Sequence, residues 1–112
     1  MSSNALSSEL RTEIEKEIKN NKVVVFMKGS LAQPQCGFSK AVADIFASYD
    51  VEVKQHNVLA RPELREGIKL FTDWPTIPQI FINGEFIGGK DILAQMHEEG
   101  ELAKLLGSSD ST

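Results

Sequence analysis

The feature that most constrains the fold is a run of five apolar residues, Val23-Val24-Val25-Phe26-Met27. Asparagines precede it at positions 20 and 21, and Gly29 follows it. A short, continuous, β-branched run of this kind is typical of a central strand that is buried on both faces of its sheet. Such a strand needs covering elements on both sides, so the run predicts a layered α/β domain.

The apolar spacing elsewhere predicts the helices that would cover this sheet. Leu6, Leu10, Ile14 and Ile18 recur every four residues, which predicts an amphipathic helix that ends near residues 20–21. Helical spacing returns after Gly37 and after Pro62, a proline that suits the first turn of a helix. A last helical region has Asp91 in its first turn and continues past Gly100. Its residues expected to face inward are Ile92, Leu93, Met96, Leu102, Leu105 and Leu106.

Two further strands are predicted by a hairpin signal. Asn83-Gly84 separates Ile80-Phe81-Ile82 from Phe86-Ile87, and this dipeptide is typical of a two-residue primed turn. Val51, Val53 and Val58 mark a less regular strand. The element order α-β-α-β-α-β-β-α predicts one mixed sheet with helices on both faces.

Length and composition predict one soluble domain. The 112 residues are 41% hydrophobic and 25% charged, and no apolar run approaches the ~20 residues of a membrane-spanning helix. The net charge of −4 disfavours nucleic-acid binding. We expect a folded domain over residues 8–106, with flexible tails at 1–7 and 107–112. The first residues lack the features of a secretory signal. The alternative that a presequence has been removed from a longer protein is left open.

Cys36 is the only cysteine, and it lies between Pro34 and a helix that starts at Gly37. Free backbone N–H groups and the helix dipole stabilise a thiolate at a helix N-terminus, which lowers the pKa of the thiol and makes the sulfur a nucleophile and a metal ligand. The alternative is a small buried hydrophobe. Ser39 stands where a dithiol motif would carry its second cysteine, so no internal disulfide can form. A single cysteine also favours a reducing compartment.

Several stretches together resemble the monothiol glutaredoxins of the Cys-Gly-Phe-Ser class. In chain order they are Lys28-Gly29, Cys36-Gly37-Phe38-Ser39, Asn57-Val58-Leu59, Glu63-Leu64-Arg65, Trp74-Pro75-Thr76-Ile77-Pro78-Gln79, Gly84-Glu85-Phe86 and Gly88-Gly89-Lys90-Asp91-Ile92. The resemblance extends from about residue 10 to 106. It implies a thioredoxin-like fold with a four-stranded mixed sheet, glutathione binding, and a [2Fe-2S] cluster at a dimer interface for delivery to other proteins.

The resemblance also implies which residues bind glutathione. Lys28 would lie near the thiolate, and Arg65 and Lys69 would face the glycine carboxylate, although paired basic residues on a helix are also typical of a solvated face. A cis Ile77–Pro78 bond would free the Ile77 backbone to pair with the ligand. Asp91 would accept from the γ-glutamyl ammonium, or simply be an acid at a helix N-terminus. The complete set implied is Lys28, Cys36, Gly37, Phe38, Arg65, Lys69, Thr76, Ile77, Pro78, Gly89, Lys90 and Asp91, with Cys36 also the cluster ligand.

One departure from the family narrows the chemistry. Many members have a second cysteine where this chain has Lys90, so a disulfide between two distant cysteines is excluded. Trp74 is assigned to packing.

Our leading hypothesis is an iron-sulfur carrier that is monomeric when empty and dimeric when loaded, and that binds recipient proteins and assembly factors. The alternatives are a glutathione-dependent oxidoreductase that acts on mixed disulfides and an interaction module with an inert thiol. The expected location is the mitochondrial matrix in a eukaryote, and otherwise the cytoplasm.

Overall fold

The computed structural model describes residues 6–107. Within them the elements are α1 (Ser8–Asn20), β1 (Val23–Met27), α2 (Gly37–Phe46), β2 (Val53–Asn57), α3 (Pro62–Thr72), β3 (Gln79–Ile82), β4 (Glu85–Gly88), α4 (Lys90–Glu98) and α5 (Glu101–Leu106). None of these helices has the length and the apolar character that crossing a bilayer would require.

The four strands form one mixed sheet in the order β2-β1-β3-β4. Strand β1 pairs in parallel with β2 and antiparallel with β3, and β3 pairs antiparallel with β4. All five residues of β1 are buried. The predictions of a central strand and of a mixed sheet with a terminal hairpin are therefore confirmed.

Alternate residues of β1 enter two separate cores. Val24 and Phe26 pack with apolar residues of α1 and α3, including Ile14 and Ile68. On the other face, Val23, Val25 and Met27 pack with apolar residues of α2, α4 and α5; these include Val42, Leu93 and Leu102. Full burial of such a side chain stabilises the fold by roughly 1.5–3 kcal/mol. Because both faces of β1 are buried, every position of the strand is apolar.

The structure differs from the prediction at the edges of several elements. Strand β2 leaves out Val51 and Val58, although Val58 is buried and its N–H donates to the Met27 carbonyl at 2.9 Å. Gly100, with φ of 80°, divides the last helical region into α4 and α5. Ile92 was expected to face inward and is 39% exposed, because the inward stripe of α4 passes through Leu93.

The predicted tails, residues 1–7 and 107–112, lie mostly outside the described residues and stay predictions. Two residues of the first tail are described. Leu6 precedes α1 and packs against the core below that helix. The Ser7 hydroxyl caps α1 by accepting from the Leu10 N–H at 3.0 Å.

The strand register brings three chain segments to one edge of the sheet. Phe26, near the end of β1, lies opposite Gln79 at the start of β3. Gly88, at the end of β4, pairs with Ile80 in β3. Because α2 follows β1 and α4 follows β4, the N-terminal ends of both helices are expected at this edge, beside the loop that leads into β3.

Candidate functional site

Cys36 is the N-cap residue of α2, as predicted. Its backbone is extended, with φ of −156° and ψ of 163°, and its Sγ accepts from the Ser39 N–H at 3.4 Å. The side chain is partly buried, while Gly37 and Phe38 beside it are exposed. The sulfur therefore satisfies an N–H group at the helix start and remains accessible from outside.

Opposing effects determine the ionisation of the thiol. Burial raises the pKa of Cys36, but hydrogen bonds from the Ser39 hydroxyl and from the backbone N–H groups of Ser39 and Phe38 lower it. The positive charge of Lys28 lowers it further. The balance holds the pKa of Cys36 below the ordinary value for cysteine, which favours the reactive thiolate over the inert buried hydrophobe.

The loop between β1 and α2 is tightly folded. Gly29 has φ of 88°, its N–H donates to Asn57 Oδ1 at 2.9 Å, and a Cβ placed on it would lie 2.4 Å from the Gln33 carbonyl oxygen. The Gln35 N–H donates back to the Lys28 carbonyl at 2.8 Å. These contacts return the chain to the end of β1 and so bring Cys36 close to Lys28.

A groove of about 220 Å³ lies next to the thiol at the same sheet edge. Its walls come from the start of α2, the loop before β3 and the start of α4. The lining residues are Phe38, Trp74, Thr76, Ile77, Pro78, Gly89, Lys90, Asp91 and Ile92. The Ile77–Pro78 bond is cis, as the resemblance implied. A Cβ on Gly89 would lie 3.3 Å from the Pro78 carbonyl oxygen, so a glycine keeps this wall thin.

A second depression, of about 490 Å³, contains the thiol itself. Its lining residues are Lys28, Cys36, Gly37, Phe38, Ala41, Ile77 and Lys90. The two depressions share Phe38, Ile77 and Lys90 and are therefore adjacent. Lys90 Nζ lies 5.5 Å from the centre of the Phe38 ring and 2.8 Å from Asp91 Oδ1, so a cation and an acid stand side by side where the depressions meet.

Most of the predicted glutathione contacts thus gather around one thiol, with two exceptions. Arg65 and Lys69 lie on α3, and neither lines the groove or the thiol depression. Arg65 is exposed, and Lys69 Nζ lies 3.4 Å from a Glu66 carboxylate oxygen. Trp74 packs edge to face against Phe86, as predicted, and in addition it is 36% exposed and lines the groove.

Two residues without a predicted role, Gln79 and Thr72, help to build the site. Gln79 is completely buried at the start of β3, and its side-chain amide donates to the carbonyls of Trp74 and Thr76 at 3.0 and 3.1 Å. Its Oε1 accepts from the Thr72 hydroxyl at 2.8 Å. Gln79 therefore holds the loop that forms one wall of the groove. The sequence signal for this role was the position of the glutamine, directly before the buried apolar run Ile80-Phe81-Ile82.

This geometry joins an ionisable single thiol to a groove with charges of both signs, which suits a small zwitterionic ligand that carries a sulfur. A sequence model of the family described as Glutaredoxin matches residues 23–87. The chain belongs to the glutaredoxin family. The thioredoxin-like fold and the family implied by the motifs are thereby confirmed.

Individual relatives agree with the family. The chain is 51% identical over 104 residues to "Monothiol glutaredoxin-5, mitochondrial" of Schizosaccharomyces pombe, which covers 90% of this chain and 71% of that protein. It is 55% identical over 93 residues to "Probable monothiol glutaredoxin 2" of Rickettsia conorii, covering 83% and 87%. The solution structure of a monomeric truncated mutant of Trypanosoma brucei 1-C-Grx1 superposes with a TM-score of 0.79 at 40% identity, covering 89% of this chain and 91% of that one.

Proposed function

We propose that this glutaredoxin binds glutathione and carries a [2Fe-2S] cluster, shared between two copies of the chain, to recipient proteins in iron-sulfur cluster assembly. The observation that carries the proposal is the single accessible thiol. Cys36 is the only cysteine, Ser39 occupies the position of a second thiol on α2, and Lys90 occupies the other position where relatives place one.

The number of sulfur ligands supports a shared cluster. A [2Fe-2S] cluster is commonly held by four thiolates, and this chain supplies one. Two chains would supply two, and the thiols of two glutathione molecules would complete the set. The lowered pKa of Cys36 provides the thiolate form that such a cluster needs. A cluster held half by a small molecule is released easily, which suits cargo rather than a resident group.

The groove supports glutathione as that small molecule. Glutathione carries two carboxylates, one ammonium and one thiol, and the groove offers Lys90 and Asp91 beside the exposed face of Phe38. Lys28 lies in the thiol depression, where its charge favours the thiolate. Arg65 and Lys69 are proposed to meet a carboxylate of the ligand, which would have to extend beyond the groove onto α3.

The proposed location follows from the chemistry and from the relatives. A free thiolate that works with reduced glutathione requires a reducing compartment. The S. pombe relative is named as mitochondrial. We therefore propose the mitochondrial matrix for a eukaryotic source and the cytoplasm for a bacterial one, with recipient apoproteins and assembly factors as partners.

Anaerobic reconstitution with iron, sulfide and glutathione tests this function. We expect a brown dimer that contains one cluster and two glutathiones for every two chains, and a colourless monomer for Cys36→Ser. Omission of glutathione is the matched control and should also prevent assembly. A native chain that stays colourless and monomeric with glutathione present would contradict the proposal, and so would a cluster-bound dimer free of glutathione.

The lowered pKa of Cys36 also favours a second function, reduction of protein-glutathione mixed disulfides. The Cys36 thiolate would attack the glutathione sulfur and displace the protein thiolate, and a second glutathione would then release glutathione disulfide. No second protein thiol is needed. Rapid turnover of a glutathionylated protein, together with failure to assemble a cluster, would favour this enzyme activity over the carrier.

A further inference from the structure

The depression that contains the Cys36 thiol has positive side chains in its wall. Lys28 and Lys90 line it and are both half-buried, and of the described residues no aspartate or glutamate lines it. The whole chain has 16 acidic and 12 basic side chains, for a net charge of −4. The thiol of an acidic protein therefore lies in a locally positive depression, which the overall charge of the chain does not account for.

Lys90 is placed differently from Lys28. Lys28 follows β1 directly and acts on the sulfur itself, whereas Lys90 begins α4 and lines both the thiol depression and the groove. Lys90 Nζ lies 5.5 Å from the centre of the Phe38 ring, and Phe38 is 60% exposed. A cation is attracted to the face of an aromatic ring. This contact holds the Lys90 ammonium where the two depressions meet, next to any group that reacts with the thiol.

The neighbouring acid neutralises Lys90 only weakly. Lys90 Nζ lies 2.8 Å from Asp91 Oδ1, but the Asp91 side chain is 89% exposed, so water screens the pair. Asp91 lines the groove and does not line the thiol depression. In the proposed function Asp91 meets the ammonium of the ligand, which would leave Lys90 without this acidic partner.

We propose that Lys90 is a specificity-determining residue that selects the reaction partners of Cys36 by charge. The preferred partner is a protein segment with a glutamate or aspartate next to its reacting cysteine. In disulfide exchange the Cys36 thiolate bonds to one sulfur of the partner disulfide and expels the other as a thiolate, while the partner carboxylate lies against the Lys90 ammonium. Many relatives have a cysteine at this position, so the preference belongs to this chain rather than to the whole family. The nature of the partners rests on the proposed function, whereas the charge preference is a property of the free chain.

Two alkylating reagents of similar size test the inference. Iodoacetate carries a carboxylate next to the reacting carbon, and iodoacetamide carries a neutral amide there. Both react with the thiolate, so a change in the pKa of Cys36 cancels from the ratio of the two rate constants. At low ionic strength this ratio, iodoacetate over iodoacetamide, should be roughly two- to fivefold lower in Lys90→Gln than in the native chain. Added salt should reduce the difference.

Lys104→Gln is the matched control. Lys104 is exposed on α5 and lines neither the groove nor the thiol depression, so this variant makes the same change of net charge elsewhere and should keep the native ratio. A native ratio in Lys90→Gln would overturn the inference. An equal fall in both variants would also overturn it, because the effect would then come from net charge.

A second measurement tests the partner class on the native chain. Two peptides differ only in the residue next to their single cysteine, glutamate or glutamine, and each cysteine is activated as a disulfide with 2-thiopyridine. Attack of Cys36 on the peptide sulfur forms a new disulfide and releases 2-thiopyridone, whose absorbance gives the rate relative to 2-mercaptoethanol. The native chain should prefer the glutamate peptide roughly two- to fivefold, and Lys90→Gln should show a smaller preference.

The peptide experiment separates this inference from the proposed function, because it contains neither cluster nor glutathione. Equal rates for the two peptides with the native chain would overturn charge selection and leave the carrier function intact. A preference that is as large in Lys90→Gln as in the native chain would assign it to Lys28 and overturn the role of Lys90.

Discussion

Gly29 and Gly84 both have positive φ angles, 88° and 82°, but their surroundings differ. A Cβ on Gly29 would lie 2.4 Å from the Gln33 carbonyl oxygen and 2.8 Å from the Gln35 nitrogen, and these are backbone atoms of the loop that carries Cys36. A Cβ on Gly84, in the hairpin turn, meets nothing within 4 Å. The left-handed conformation alone disfavours a side chain by roughly 1–2 kcal/mol. At Gly29 a steric clash is added to that cost.

We therefore expect Gly29→Ala to destabilise the protein clearly more than Gly84→Ala. Gly84→Ala should lower the free energy of unfolding by roughly 1–2 kcal/mol. Gly29→Ala should lower it further and should slow alkylation of Cys36, because the loop must move to relieve the clash. Urea unfolding and the rate of alkylation at neutral pH measure the two effects. Equal stability of the two variants would contradict the steric argument.

At the scale of elements, a charged pair joins α1 to the start of α3. Arg61 donates to both carboxylate oxygens of Glu13, at 2.5 and 3.1 Å, and to Glu63 at 2.9 Å. The hydrogen bonds from Arg61 hold the pKa of Glu13 below its ordinary value of 4.5. A carboxyl whose pKa is lower in the folded state stabilises that state at pH values above its ordinary pKa. This contribution is lost as the pH falls through the folded-state pKa.

This sign gives a pH-dependent prediction for Glu13→Gln. Because the Glu13 side chain is 42% exposed, the charged pair should contribute about 1 kcal/mol or less at neutral pH. The variant should be less stable by that amount at pH 7 and equal to the native chain well below pH 4.5, where native Glu13 is also neutral. Urea unfolding across this range is the measurement, with Asp44→Asn, in an exposed pair on α2, as control. A difference that persists unchanged in acid would exclude the pair as its cause.

The elements were predictable where their signals are local. Pro62 begins α3, Asn83 and Gly84 turn the hairpin, and Cys36 starts α2, and each depends on residues within one turn of chain. Gln79 was missed because its partners, Thr72 and the carbonyls of the loop between α3 and β3, are known only once β3 has been placed beside α3. An apolar pattern does not reveal which polar side chain will be buried.

The exposure of Ile92 was mispredicted for a related reason. Ile92 fits the helical spacing of the core residues of α4, but it is exposed and lines the groove. Helical spacing identifies an apolar face and does not say whether protein or ligand covers it. The family motifs predicted the position of the groove, because they mark the loop before β3 and the start of α4. The resemblance also implied ligand contacts for Arg65 and Lys69, but neither residue lines the groove or the thiol depression.

At the scale of the whole molecule, the sheet topology assembles the site from distant parts of the chain. The thiol follows β1, the wall of the groove precedes β3, and Lys90 and Asp91 follow β4, and the register of these strands brings all three to one edge. Unfolding anywhere in the sheet would therefore disperse the site. A ligand that binds only the folded chain must then stabilise the entire domain.

Thermal unfolding at increasing glutathione concentration tests this coupling together with the proposed role of Asp91. If glutathione binds the groove, the Tm of the native chain should rise with concentration, and a hundredfold excess over Kd corresponds to about 2.7 kcal/mol of added stability. Asp91→Asn should need several-fold more glutathione for the same rise, because it loses the charge proposed to meet the γ-glutamyl ammonium. Asp44→Asn makes the same change of charge on the exposed surface of α2 and should respond as the native chain does. Equal responses of all three proteins would show that Asp91 does not contact the ligand. A Tm of the native chain that does not change with glutathione concentration would contradict glutathione binding in the groove.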